Sequence, residues 1–284
     1  MYLLLSLCAN PHFIQDNTYQ STDDGWHVSL VYQLVPHYFM NILFLLAIAT
    51  APGVAIGLYI YLKDKHEREP IGLLLRAFLF GMLSTLLTLA ISIPINSVVP
   101  IDEQSIGEQA LHAFLLVALI EEFSKFIFVR GVLYHNKNFN EPFDGIVYSV
   151  MVGMGFATFE NILYVSDGGV STAILRMFTA VPAHASFAVL MGYFLGKAKF
   201  EHKKGYYSIY ALAVATLFHG AYDYFWFIAY VPGIWLGAIA SLGIGIYFSR
   251  KAIKIHQDES PFHPDTLPPF QHENENLDEG GHQK

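Results

Sequence analysis

Six ionisable residues sit inside otherwise apolar stretches of this chain: Glu121, Glu122, Glu160, His184, His219 and Asp223. They come from four separate stretches. A carboxylate or imidazole is costly in hydrocarbon, so such residues face a protein-lined cavity and usually carry function. Carboxylates and imidazoles held together are the groups that activate water, orient one another's protons and stabilise developing charge. Four apolar segments, each donating one or more of these groups, predict one assembled site.

The spacing sharpens this reading. Glu121 and Lys125 are four residues apart and share a helix face. Glu122 points about 100° away and needs a partner of its own. A local ion pair accounts for Lys125 but not for two adjacent buried acids. Glu160 is followed by Asn161, an acid beside an amide. Arg176 either reaches the interface or pairs with Glu160. His219 and Asp223 are again four apart, so the aspartate can fix the imidazole tautomer. His184 alone would read as a satisfied core histidine; with His219 nearby it joins the site.

The elements that must position these groups are membrane helices. The chain is 54% hydrophobic and 14% charged, against about 25% charged for a soluble domain. Seven stretches are long enough to span, near 37–62, 71–99, 109–134, 142–165, 171–197, 206–229 and 231–249. The expected fold is therefore an all-α polytopic membrane bundle. Val231-Pro232-Gly233 is the turn between the last two spans. The loops holding Lys63, Lys65 and Arg68, then Arg130 and Lys137, then Lys197 to Lys204, alternate with loops that hold no Lys or Arg. By the positive-inside rule the N-terminus lies outside and the C-terminus in the cytoplasm. Three regions follow: an extracytoplasmic or interfacial segment 1–36, a membrane body 37–250, and a disordered acidic tail 251–284. From Ile255 onward that tail holds seven carboxylates and one lysine, so the net charge of −8 says little about the membrane body. No basic patch points to nucleic acid. The single cysteine, Cys8, excludes an internal disulfide framework.

Counting residues along each span puts Glu121, His184 and His219 near mid-membrane, with Glu160 and Asp223 in the outer half. The cavity is expected to open to the extracytoplasmic side.

Glu121-Glu122-Phe-Ser-Lys125, Phe156-Ala-Thr-Phe-Glu160-Asn161, His184 and His219-Gly-Ala-Tyr-Asp223 resemble the motifs of the PrsW family of intramembrane proteases, relatives of the CAAX prenyl endopeptidases and bacteriocin-immunity-type membrane proteins. The match covers roughly residues 40–250. Asp144-Gly145 also fits the family pattern, though a helix-start aspartate explains it equally well. The resemblance implies a glutamic-type intramembrane endopeptidase in a bacterial cell membrane, cutting a single-span, anti-sigma-factor-like protein on its extracytoplasmic side. Glu160 and Asp223 stand where CAAX relatives have histidine and, often, asparagine, so their mechanism does not transfer unchanged.

The expected roles are Glu121 as general base, His184 and His219 at the oxyanion or the water, and Glu160 or Asp223 as orienting or proton-delivering groups. Glu122, Lys125, Asn161 and Arg176 support them. No cofactor is expected. The rival is zinc, held by His184, His219, Glu121 and Glu160, although no His-Glu-x-x-His helix is present. Two non-enzymatic readings compete: a proton or cation transporter, and an immunity-type scaffold. The absence of an internal repeat and the clustering of the acids at one level weigh against transport.

Overall fold

The computed structural model describes residues 27–263, with side chains from residue 43 onward. Every regular element in that range is helical. The helices are α1 (His27–Lys63), α2 (Ile71–Val98), α3 (Ile106–Leu111), a π-helical stretch (His112–Ala118), α4 (Leu119–Gly131), a 3-10 turn (Leu133–His135), α5 (Pro142–Phe178), α6 (Ala180–Phe200), α7 (Lys204–Phe227) and α8 (Leu236–Asp258). Three stretches are long and apolar enough to cross a membrane by length and composition: Leu43–Lys63, Ile71–Val98 and Pro142–Phe200.

Local chemistry sets the boundaries. Pro70 precedes α2 and Pro142 opens α5, both positions where a missing N–H costs nothing. Glu141 and Asp144 form a reciprocal cap at the start of α5. Gly169, with φ of +65°, breaks α5, a conformation that favours glycine. The chain reverses there: Arg176, beyond the break, reaches back to Glu160 and Asn161, before it. The expected spans 142–165 and 171–197 are thus the two arms of one hairpin. Gly233, with φ of +78°, makes the turn before α8.

The first arm of α5 is the central rod. Nearly every residue from Phe143 to Thr158 is buried, as expected of a helix apolar on all sides. It packs against α1, α2 and α6. Close backbone approach drives two of these contacts: a Cβ on Gly81 would collide with the Val152 carbonyl, and one on Gly192 with the Gly145 carbonyl. Peripheral helices turn apolar side chains outward, among them Leu58, Leu79, Ile209, Leu217 and Ile244. Polar residues of α2 turn inward instead: Ser84, Thr85, Thr88 and Ser92 are buried. This inside-out arrangement is that of a bundle solvated by lipid.

Two expectations need correction. The helix of α1 begins at His27, so it starts within the segment 1–36 that was expected to precede the membrane body. The ordered body also passes residue 251, where the tail was expected to begin. Helix α8 runs to Asp258, and His256 is buried with its ring stacked 4.5 Å from that of Tyr193. Gln257 Nε2 then donates to the Lys63 carbonyl and Ser260 Oγ to Glu141. Acidic composition hid this docking, because only a few residues of the stretch carry it. Residues 1–26 and 264–284, on which the remaining expectations for the two termini rest, lie outside the described residues.

Candidate active site

Helix α4 brings Glu121 and Glu122 into the bundle directly after the π-helical stretch. A π-turn shifts the register of the side chains that follow it, and such turns recur at functional sites. The apolar run 109–120 gave no sign of it. Both acids are buried, Glu122 at 1% exposure. Lys125 Nζ sits 2.7 Å from Glu122 Oε1 and 3.7 Å from Glu121 Oε2. The lysine therefore serves mainly Glu122, its i−3 neighbour, rather than the i−4 partner that spacing suggested; both lie on its side of the helix. Nζ also approaches His184 Nδ1 at 3.3 Å and lies 4.0 Å from the Phe156 ring centre.

Two imidazoles complete the centre. His219 Nδ1 is 2.8 Å from Glu122 Oε1, and its Nε2 is 3.1 Å from Asp223 Oδ2. Its ring stacks on Phe187 at 4.9 Å. His184 Nε2 is 2.9 Å from Glu160 Oε2, and the two imidazoles stand 5.1 Å apart, nearly perpendicular. Arg176 donates from Nη2 to Glu160 Oε2 and from Nε to Asn161 Oδ1, each at 2.7 Å, with its guanidinium over Tyr164. Asn161 Nδ2 donates to the Ala49 carbonyl of α1. A single polar network thus runs from Asp223 through His219, Glu122, Lys125, His184 and Glu160 to Arg176. All the acids and imidazoles singled out in the sequence belong to it except Glu121. That residue stands beside the network, and its Oε2 makes no hydrogen bond, with His219 Nε2 3.8 Å away.

Glu121 instead faces a cavity of 510 Å³, whose walls include Glu160, His184, His219 and Asp223. Glu122 and Lys125 lie behind the wall. The cavity runs from these groups to Gln104 and Tyr230, where Tyr230 Oη donates to the Gln104 carbonyl. Sequence reasoning missed most of the wall: Thr85 and Thr88 of α2, His112 of the π-helical stretch, Tyr164, and Trp226. A signal existed. On α5, residues 156, 160, 163, 164 and 167 recur at helical spacing and form one stripe.

A metal is a possible tenant of such a site. Glu121, His184 and His219 each offer a ligand atom, all within 4.8 Å of one another. In composition this fits zinc, and Glu122 holds His219 by Nδ1, as carboxylates hold metal-bound histidines. His184 does not fit. An ammonium donates and has no lone pair, so Nδ1 must accept from Lys125 and the ring proton sits on Nε2, directed at Glu160. Neither nitrogen then has a free lone pair. Glu160, expected in the ligand set, is engaged by Arg176 and His184.

Fold and site together define a helical membrane protein with an acid–imidazole cavity between its helices. The sequence profile described as "PrsW family intramembrane metalloprotease" matches residues 69–249. The chain belongs to the PrsW family of intramembrane proteases. It is 46% identical over 181 residues to Protease PrsW of Geobacillus kaustophilus, covering 63% of this chain and 78% of the relative. It is 40% identical over 182 residues to that of Oceanobacillus iheyensis, covering 63% and 81%, and 36% identical over 176 residues to that of Bacillus subtilis, covering 61% and 78%. No solved structure matches the chain.

Proposed function

We propose that this protein is a seven-pass protease of the bacterial cell membrane that hydrolyses a peptide bond in a single-span, anti-sigma-factor-like protein, using water activated by Glu121. One observation carries the reading: of the two adjacent glutamates Glu121 is the one that lines the cavity, and its Oε2 accepts no hydrogen bond, with Lys125 Nζ and His219 Nε2 held at 3.7 and 3.8 Å. Glu121 accepts a proton as the water oxygen attacks the scissile carbonyl carbon. His219 Nε2 passes its hydrogen bond from Asp223 to the resulting oxyanion, while Glu122 keeps hold of the ring at Nδ1. His184, with its one N–H spent on Glu160, fixes that carboxylate together with Arg176 in the wall beside the reacting carbonyl. The proton taken by Glu121 passes to the amide nitrogen as the C–N bond breaks. No cofactor is required.

The topology rests on charge and packing together. The loops carrying lysine and arginine meet at one end, where Lys199 Nζ donates to the Asn136 carbonyl and Asn140 Nδ2 to Glu67. The cavity opens at the other end, which by the positive-inside rule is extracytoplasmic.

The test is Glu121→Gln in lipid nanodiscs with a single-span substrate. Cleavage is expected to fall by about 10²–10⁴-fold, the contribution of a general base, with thermal unfolding unchanged. Cleavage at the parental rate would remove Glu121 from the mechanism. A metal-dependent reading is favoured by the grouping of Glu121, His184 and His219. It demands that chelation abolish activity and that zinc restore it. The metal-independent reading expects chelators to have no effect.

A further inference from the structure

The cavity wall has a charge pattern that hydrolysis does not use. Of its ionisable side chains, Glu103, Glu121, Glu160, Asp167 and Asp223 are acidic, and Arg176 is the sole lysine or arginine. Arg176 is spent on Glu160 and Asn161. Glu121, Glu160 and Asp223 belong to the chemical centre. Glu103 and Asp167 do not: both are exposed at the mouth, and neither has a hydrogen bond or ion pair among the described residues. The connections at this end, residues 100–108, 166–170 and 230–233, contain no lysine or arginine. The mouth is therefore a negative rim without a compensating lysine or arginine among the described residues.

The walls between rim and centre suit an extended peptide. On α5, Glu160, Leu163, Tyr164 and Asp167 lie on one stripe, and on α7 His219, Tyr222, Asp223 and Trp226 form another. Thr88 of α2 lines the same cavity at 3% exposure, with its hydroxyl lacking any hydrogen-bond partner among the described residues. A buried hydroxyl without a partner is costly; a peptide backbone running past it supplies one. Seven helical residues separate Glu160 from Asp167, a rise of about 10 Å. An extended peptide covers that distance in about three residues.

We propose that Asp167 and Glu103 form a subsite for a lysine or arginine side chain of the substrate, about three residues from the scissile bond on its extracytoplasmic side. The inference rests on the protease reading and adds a substrate class to it: membrane-anchored proteins with a basic residue just outside the bilayer. Positive charge on that side runs against the usual distribution, so the rim would select a minority of single-span proteins. Because the rim is exposed, its contribution is to selection and capture, and salt weakens it.

The experiment uses the full chain in nanodiscs and synthetic single-span peptides carrying Lys, Gln or Glu at each of six successive positions outside the bilayer. Cleavage efficiency is expected to favour Lys over Gln by up to about five-fold, the upper end for an exposed ion pair, and only near the third position. Glu at that position should be cut more slowly than Gln. Asp167→Lys should reverse the order, and added salt should flatten it. Equal cleavage of all three series, or a lysine preference that survives Asp167→Lys together with Glu103→Lys, overturns the subsite. Binding of the same peptides to Glu121→Gln, read by fluorescence anisotropy, separates the two claims. Lysine-selective binding without cleavage by the parent protein leaves the subsite standing and removes the protease. Charge-blind binding without cleavage removes the subsite as well.

Discussion

Two groups of buried carboxyls lie at different depths in this bundle, and they are held in opposite ways. In the cavity wall and directly behind it, Glu121, Glu122, Glu160 and Asp223 are interleaved with Lys125, Arg176 and two imidazoles. At the lysine-rich end, Asp64, Glu69, Glu141 and Asp144 are all buried, more deeply than Glu160 and Asp223, yet among the described residues none of them is ion-paired. Their partners are neutral. Tyr148 Oη donates to Glu69, Ser260 Oγ to Glu141, and the backbone N–H groups of Asn140 and Glu141 to Asp144 Oδ2, each of the last two at 2.8 Å. Burial pushes the Asp64 and Glu141 carboxyls up to about 7, and Glu69 is raised for the same reason. The first group is built to hold charge in a low dielectric, the second to hold protons. Burial alone does not make an acid catalytic. An acid becomes useful when compensating charge and an open face come with it.

The largest effect expected from this contrast is on folding. Lys125→Met leaves Glu122 and Glu121 without their cation and should cost about 3–5 kcal/mol, as when one partner of a buried pair is removed; thermal unfolding in nanodiscs reads the loss. Glu141→Gln replaces a proton-holding acid by a neutral isostere and should cost less than about 1 kcal/mol at pH 6. Comparable losses from the two variants would erase the distinction.

The next effect is pH dependence. Asp64 and Glu141 have folded values near 7 against ordinary values of 3.8 and 4.5. The folded state therefore binds these protons more tightly than the unfolded chain does. Their contribution is fully present below about pH 4, and is lost as pH rises through 7. The unfolding temperature should fall between pH 5 and pH 8. Asp64→Asn combined with Glu141→Gln should flatten that slope, and a slope unchanged in the double variant would place the titrating groups elsewhere. A smaller loss than that of Lys125→Met is expected from Arg176→Lys. Charge is kept, while the fork to Asn161 and the stack on Tyr164 are lost, for about 1–2 kcal/mol. A double-mutant cycle with Asn161→Ala should find the two positions coupled.

Much of the site was legible because the bilayer makes buried charge rare. Glu121, Glu160, His184 and His219 stood out against leucine and phenylalanine, and the i, i+4 pair His219–Asp223 meets as its spacing implies. The acid group at the other end was not legible as a group. Asp64, Glu69, Glu141 and Asp144 lie in or beside loops, where acids are ordinary, and only packing shows that water is excluded from them. The docking of residues 257–262 was hidden for the same reason: one glutamine and one serine carry it inside a polar stretch.

The order of the helices, their boundaries at Pro70, Pro142 and Gly233, and the presence of acids and imidazoles within apolar rods follow from sequence, because helical periodicity and the cost of charge in lipid are local rules. Which carboxylate keeps a free face does not follow. Glu121 and Glu122 are neighbours of one residue type. The crossing of α4, α6 and α7 gives Glu122 to Lys125 and His219, and leaves Glu121 open to the cavity. That choice is made by side chains brought together from positions far apart in the chain, and no local pattern encodes it.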